Sequence, residues 1–533
     1  MVLNLFRAAI PAPAPAASLP VPPPPVPPPP VPPPPVQSDN EEFMQVEIIA
    51  RASPAADPVT APAAATPAAP SAPCVVTTTL EKSALAYDQA TKLLAMASIV
   101  APEAPSDESG KRPPLDLIAV VDRSGSMSGQ KIELMRQTLE LLVTRAGLGG
   151  DDRFGLVSFD HAVAEEIALV PMDAAGRSRA KDIISHLRPG GATNLSGGLL
   201  KGCDMLSQVG GGEGRTRAIM LFTDGLANNG ITETTPLITA LQGAFASAAT
   251  TASCHTFGFG AQHNETMLQA VAESTGGQYY YISGVEAIPD AFADCLGGLV
   301  SVVAQNAQLK LEAAAPMDAQ QPGGCTIDKV LGAYKTGAGA SPAAHTIELG
   351  DLYAQDSKDV LVELGLPALP AEVLSAPVLR ATVRYFSVAN SRIEEAASIL
   401  LMARPAQTPA EQPCNLKLDE QRNRMKVAEA MEAAATLADA GRLAEGRQLL
   451  AACQEAVRGS PSAACDLSAG LVREVQGLSD HYEDAARYRS VGSKMSKMSA
   501  MSHQMQRSNH ASAQMYSAGM KSKSAMKSAW MGM

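Results

Sequence analysis

Residues 114–129 read PLDLIAVVDRSGSMSG, and this stretch decides how the rest of the chain is read. Leu115–Val121 is a near-continuous apolar run, as expected of a strand covered on both faces. Asp122 ends the run, and helical periodicity begins near Gln130. The same strand, loop and helix alternation continues downstream. Strands are predicted at Phe154–Phe159, Val163–Leu169, Ala218–Thr223, His255–Phe259 and Tyr279–Ile282. Helices are predicted at Ser178–Leu187, Leu195–Leu206, Thr235–Ala249, Glu265–Ser274 and Ala287–Val302. The pattern predicts an α/β domain over residues 113–303, with a mostly parallel sheet and helices on both faces.

In an open sheet of this kind, ligands bind beyond the carboxyl ends of the strands. Asp122 places a carboxylate there, and Ser124 and Ser126 add hydroxyls from the same loop. Gly190-Gly191-Ala192-Thr193-Asn194 precedes another helix and offers the Thr193 hydroxyl. Asp224 closes the Ala218–Thr223 strand with a second carboxylate. Hard divalent cations take oxygen ligands, some of them water. Asp122, Ser124, Ser126, Thr193 and Asp224 are therefore the candidate metal ligands. Helix capping and turn formation are the competing uses of Ser124, Ser126 and Thr193. No catalytic residue is assigned, because the site loops supply no evident general base.

The DxSxS run, the later Thr and the strand-terminal Asp, in this order, resemble the von Willebrand factor type A (VWA) fold and its metal-ion-dependent adhesion site. The resemblance implies a Rossmann-like domain and a bound Mg²⁺ or Mn²⁺. Asp122, Ser124, Ser126 and Thr193 would lie at or near the ion, with Asp224 ligating directly or through water. It also implies a partner protein that completes the coordination with an Asp or Glu. Longer blocks narrow the likeness: PLDLIAVVDRSGSMSGQKIELMRQTLELLV, DDRFGLVSFD, GGATNLSGGLLKG and TFGFGAQHNETMLQAVAESTGGQYYYI. They resemble intracellular plant and algal VWA proteins that carry a following β domain, the VWA-interacting domain. Several land-plant relatives begin with a RING finger. Here the region before the domain holds one cysteine, Cys74, and no histidine, which cannot bind the two zincs of a RING.

Flanking segments read differently. Of 40 prolines, 16 fall in residues 1–36 and 26 in residues 1–114, so the packed protein begins near position 74. Residues 1–73 are expected to be disordered and Pro/Ala-rich. Within them Pro20–Val36 repeats PPPPV, a polyproline II segment of about 50 Å. It is either a stiff spacer or a ligand for an SH3, WW, EVH1 or profilin-type groove. Residues 74–112 hold two strand candidates and a linker. Residues 304–392 carry short strand candidates that suit a β-sandwich-like domain, and the strands of 74–112 are assigned to it. Residues 393–490 read as helical. Residues 491–533 read as a disordered basic tail: from 494 onward they hold nine methionines, six Lys or Arg and no acid.

A net charge of −12 argues against nucleic acid as the default partner. No apolar run is long enough for an integral membrane span. The eight scattered cysteines form no zinc motif or disulfide framework. The expected location is cytoplasmic. The function predicted is a non-enzymatic, metal-dependent protein-interaction scaffold. The alternatives are an adaptor or substrate receptor in ubiquitin-linked regulation, or a secreted adhesion or matrix protein.

Overall fold

The β-branched run after Cys74 forms β1 (Val75–Leu80), which pairs antiparallel with β2 (Thr91–Val100). The structure, a computed structural model, describes residues 72–103, 112–145, 148–209, 214–247, 252–316, 324–332, 334–336 and 341–506. The Pro20–Val36 repeat and the expected disorder of residues 1–71 lie outside the described residues.

The chain next builds an α/β unit. Its elements are β3 (Leu115–Asp122), α1 (Gln130–Arg145), β4 (Arg153–Phe159), β5 (Val163–Pro171), α2 (Ala174–Ser185) and α3 (Leu195–Gln208). They continue as β6 (Thr216–Thr223), α4 (Thr234–Ser247), β7 (Ser253–Phe259), α5 (Glu265–Thr275), β8 (Tyr279–Ile282) and α6 (Ile288–Leu299). Strand order is β5-β4-β3-β6-β7-β8. Five strands run parallel, and β5 returns antiparallel on β4 as a hairpin. All eight residues of central β3 are buried, which is why its sequence is apolar without alternation. Leu117, Ala119 and Val121 face α1, α2 and α6, while Ile118 and Val120 face α3, α4 and α5. Under α6, the rings of Phe222, Phe257 and Phe292 stack with centroids 4.8–5.5 Å apart.

Two antiparallel sheets follow, formed by β9 (Val302–Ala313), β10 (Thr326–Val330), β11 (Lys335–Thr336), β12 (Ala344–Tyr353), β13 (Ser357–Leu366), β14 (Val373–Ser387) and β15 (Arg392–Arg404). The orders are β1-β2-β13-β10 and β11-β12-β9-β14-β15. One apolar core joins them, with Ala97, Ile99 and Val362 from the first sheet and Leu309, Val383 and Leu400 from the second. Strands before and after the α/β unit thus complete each other, through β2–β13 pairing from Thr91↔Leu366 to Val100↔Ser357.

Residues 393–403 correct the helical expectation for 393–490. The composition of IEEAASILLMA favours helix, but the segment is β15, paired along β14 from Arg404↔Val373 to Arg392↔Ser387. Leu400 and Met402 enter the shared core while Ile399 and Leu401 stay exposed, a period-two pattern imposed by tertiary pairing over local propensity. The Arg404 guanidinium locks the strand end by donating to the carbonyls of Ala86, Tyr87, Gln89 and Pro367.

The helical region comprises α7 (Leu416–Asp439), α8 (Leu443–Arg458), α9 (Asp466–Ser479), the short α10 (Ala485–Arg487) and α11 (Ser493–Gln504). Gly441, at φ +83°, supplies the left-handed turn between α7 and α8.

α11 is the second correction, because residues 493–504 were expected to belong to a disordered tail. The methionines form one face. Met501 is fully buried in the α/β core, with Met495, Met498 and Met505 packed beside it. The basic residues find an acid elsewhere in the fold: Lys494 and Lys497 both pair with Glu265 of α5. Ser493 Oγ donates to the same carboxylate at 2.6 Å. Gln278 Nε2 donates to Ser502 Oγ at 2.6 Å. Just past the helix, Gln506 bonds both backbone polar groups of Asp359 in β13. Ala500 enters the core built by α7, α8 and α9. One helix therefore ties the α/β unit, the helical region and the first antiparallel sheet together. Residues 507–533 lie outside the described residues.

Two predictions follow from this packing. Met501→Ala removes a fully buried side chain at the junction and should lower unfolding free energy by roughly 2–5 kcal/mol in denaturant titration. At the opposite end of the sheet from Asp122, buried Asp116 accepts from Arg153 and Arg215 at 2.6–2.8 Å. Burial would raise its pKa, but these guanidiniums hold it below the ordinary aspartate value. A depressed carboxylate stabilises the fold above its unfolded pKa, and that stability is lost as pH falls through the lower folded value. Asp116→Asn should therefore destabilise at pH 7 by about 3 kcal/mol, with the difference from wild type shrinking in acid unfolding below about pH 4.

Candidate metal centre

β3 delivers Asp122 to the carboxyl edge of the sheet, and a 3₁₀ turn (Gly125–Met127) with buried Met127 anchors the loop beyond it. The Asp122 carboxylate is buried. Its Oδ1 accepts from the Ser124 amide at 2.7 Å, and its Oδ2 from the Thr223 hydroxyl at 2.6 Å. Ser124 Oγ and Ser126 Oγ lie 2.9 Å apart, and Ser126 Oγ donates to Asp224 Oδ1 at 2.8 Å. Lys131, in the first turn of α1, pairs its ammonium with Asp224 Oδ2.

Thr193 arrives from the loop before α3. A Cβ placed on Gly225 would stand 3.3 Å from Ser126 Oγ, 3.6 Å from Thr193 Oγ1 and 3.9 Å from Asp122 Oδ2. The structure thus brings all five candidate residues from three loops to one point. Ser124 and Thr193 make no helix-capping bond with their side chains. Ser124 precedes the 3₁₀ turn without a side-chain capping bond, and Asn194, not Thr193, caps α3 by accepting from the Gly197 amide.

Sequence reading missed the residues that hold these loops together. Asp160, at the end of β4, accepts from the Ala162 amide at 2.7 Å through its carboxylate and from the Asn194 amide at 2.8 Å through its carbonyl. Its carboxylate faces the Arg123 guanidinium at 3.4 Å. The Gly190 amide donates to the Arg123 carbonyl, and the Gly125 amide to the Gly191 carbonyl at 2.9 Å. On the other side, Asn228 Oδ1 accepts from the Thr193 amide, while the amides of Asn228 and Asn229 donate to the Thr193 carbonyl. The signal for Asp160 was available: it closes the FGLVSFD strand as Asp122 closes its own. Lys131 gave no such signal, since a lysine in a first helical turn is ordinary.

Burial, with the neighbouring Asp224 carboxylate adding to it, raises the Asp122 carboxyl above its usual range, against the bonds from Thr223 and Ser124. Among the described residues no group of three or more His, Cys, Asp or Glu side chains is placed to hold a metal. The donor set here is of another kind, two carboxylates and three hydroxyls, all hard oxygen donors that fit Mg²⁺ or Mn²⁺.

Gly190 tests the loop packing. An added Cβ would fall 1.8 Å from Asp160 Oδ2. Gly190→Ala should cost about 1–3 kcal/mol and accelerate amide hydrogen exchange across 189–195, leaving the amides of β3 and β6 protected.

A sequence profile of the von Willebrand factor type A domain matches residues 116–294. An uncharacterised protein of Synechocystis sp. is 28% identical over 272 residues, which cover 51% of this chain and 61% of that protein. E3 ubiquitin-protein ligase WAV3 of Arabidopsis thaliana is 27% identical over 266 residues, covering 49% of this chain and 32% of the ligase. The chain thus spans less than two thirds of either relative. Among solved structures, a von Willebrand factor type A protein from Catenulispora acidiphila superposes with a TM-score of 0.57 at 14% identity, over 76% of this chain and 91% of that one. That likeness is one of fold. With the strand order, the three converging loops and the matched profile in agreement, the chain is a protein containing a von Willebrand factor type A domain.

Proposed function

We propose that the protein is a non-enzymatic, divalent-metal-dependent interaction scaffold. Asp122, Ser124, Ser126, Thr193 and Asp224 hold Mg²⁺ or Mn²⁺, and an Asp or Glu of a partner protein completes the site. The observation that carries this reading is the meeting of hydroxyls and carboxylates from three loops around Gly225. Bound there, the cation supplies a Lewis-acidic position that takes a carboxylate oxygen. The chain's own part is to hold the donors in place and to balance charge. The buried Asp224 carboxylate pairs with the Lys131 ammonium, so a bound metal would compete with Lys131 for the same charge. The division at 113–303 goes with this reading, the flanking sheets and helices serving as the frame for the site.

A second reading, an adaptor or substrate receptor in ubiquitin-linked regulation, is favoured by the likeness to the Arabidopsis ligase. A cytoplasmic location belongs to both readings. Among the described residues no helix is long and apolar enough to cross a membrane.

Isothermal titration of the full chain with Mg²⁺ and with Mn²⁺ tests the metal assignment. Wild type should bind, and Asp122→Ala should bind at least about tenfold more weakly, a loss of some 1.4 kcal/mol, with its circular dichroism unchanged. Equal affinity in the two proteins would remove the assignment. Lys131→Met should tighten metal binding several-fold, because the ion no longer displaces an ammonium. Affinity should also fall as pH drops through the raised Asp122 pKa, since the metal then competes with a proton. For the partner, capture of a specific protein should be lost both in EDTA and with Asp122→Ala.

A further inference from the structure

We propose that the protein forms a two-fold dimer through β15, whose open edge pairs antiparallel with the β15 of a second copy, centred on Ala397.

Among the described residues β15 ends its sheet, with β14 on one side and no strand on the other. An edge strand offers unpaired amides and carbonyls to any extended chain, and proteins commonly blunt such edges with proline, bulges or short length. β15 has none of these: it is 13 residues long, contains no proline, and its irregularities in pairing fall on the β14 side. Ile393, Ile399 and Leu401 stand 51–57% exposed on its outer face.

Burial alternates without a break from Ile393 to Arg404, so the direction of the backbone groups alternates with it. At the far end the Ala403 amide donates to the Ser83 carbonyl, and the Leu85 amide donates to the Ala403 carbonyl. Ala403 therefore turns its polar groups away from β14, and so do Leu401, Ile399, Ala397, Glu395 and Ile393. Among the described residues these five have no backbone partner on that edge.

The open span has a natural centre. It runs from Ile393, just past the hairpin from β14, to Leu401, just before the stretch taken by Ser83 and Leu85, and its midpoint is Ala397. In an antiparallel pair, residues that exchange both hydrogen bonds face each other. A second β15 in the same span sets Ile393 against the copy's Leu401, Glu395 against its Ile399, and Ala397 against its own mate. About ten backbone hydrogen bonds form, and each patch serves as its own partner, as two-fold symmetry requires.

Charge favours this occupant. On the outer face an acid stands on the edge strand and arginines on the strand behind it. Glu395 lies opposite Arg384, their charged groups 3.6 Å apart, and Ile399 lies opposite Arg380. Pairing two such edges puts each Glu395 two strands from the copy's Arg380, about 10 Å between Cα atoms, within the combined reach of the two side chains. No like charges stand opposite each other between the two edge strands. A contact of one strand is small for a specific dimer, at or below about 1,200 Å², so it should assemble at micromolar concentration.

Sedimentation velocity of the full chain between about 1 and 100 μM tests this. Wild type should pass from monomer to dimer equally in Mg²⁺ and in EDTA, because β15 belongs to the antiparallel sheets and not to the metal site. Ile393→Lys and Leu401→Glu, both on the exposed face, should each raise the dissociation constant at least about tenfold, with circular dichroism unchanged. Combined in one chain they should restore dimerisation, since the introduced charges then face each other twice across the axis. A wild type that stays monomeric, whether its β15 amides exchange freely or are protected by another segment of the chain, would overturn the proposal. So would single variants that dimerise like wild type, a double variant that stays monomeric, or a dimer lost in EDTA.

Discussion

A carboxylate buried at the end of a strand that is itself buried on both faces must be satisfied from inside the fold. Asp122 is that group, and much of the site's architecture answers its demand. The Ser124 amide turns back to meet it, which sets the tight loop after β3. Thr223, from the neighbouring strand, donates its hydroxyl, which fixes where β6 ends and where Asp224 emerges. The sheet's parallel register, with Val121 beside Phe222, is what brings those two strand ends level. Chemistry at the edge and hydrophobic order in the sheet are therefore one constraint seen from two sides.

The loops around this carboxylate are joined mainly by backbone groups. Gly125 to Gly191, Gly190 to Arg123 and Asn194 to Asp160 form a chain of amide-to-carbonyl bonds that joins the ends of β3 and β4 to the loop before α3. Such bonds do not depend on which side chains decorate the rim. A scaffold of this kind holds metal donors in fixed positions while its exposed residues, Leu226 and His161 among them, remain replaceable.

Much of this was legible in the residues. Leu115–Val121 announced a doubly covered strand because no polar residue interrupts it, and the spacing of Asp122, Ser124 and Ser126 announced the donor loop. What stayed hidden depended on partners distant in sequence. The β15 segment has the composition of a helix, and only β14 beside it makes it a strand. The methionine and lysine content of 493–504 reads as low complexity until Glu265, more than two hundred residues earlier, supplies the countercharge. Lys131 acts through a contact that local pattern does not encode.

The α/β unit enters and leaves the antiparallel sheets at one place. The Ala101 amide bonds the Asp356 carbonyl, and the Ala354 amide bonds the Ser301 carbonyl, so both connections meet the same short turn between β12 and β13. Mechanically, the unit hangs from a single pivot, with α11 as a separate stay on its flank. Among the described residues, the pivot and the stay both join the unit to the frame. The stay is held by side-chain contacts and not by the covalent chain.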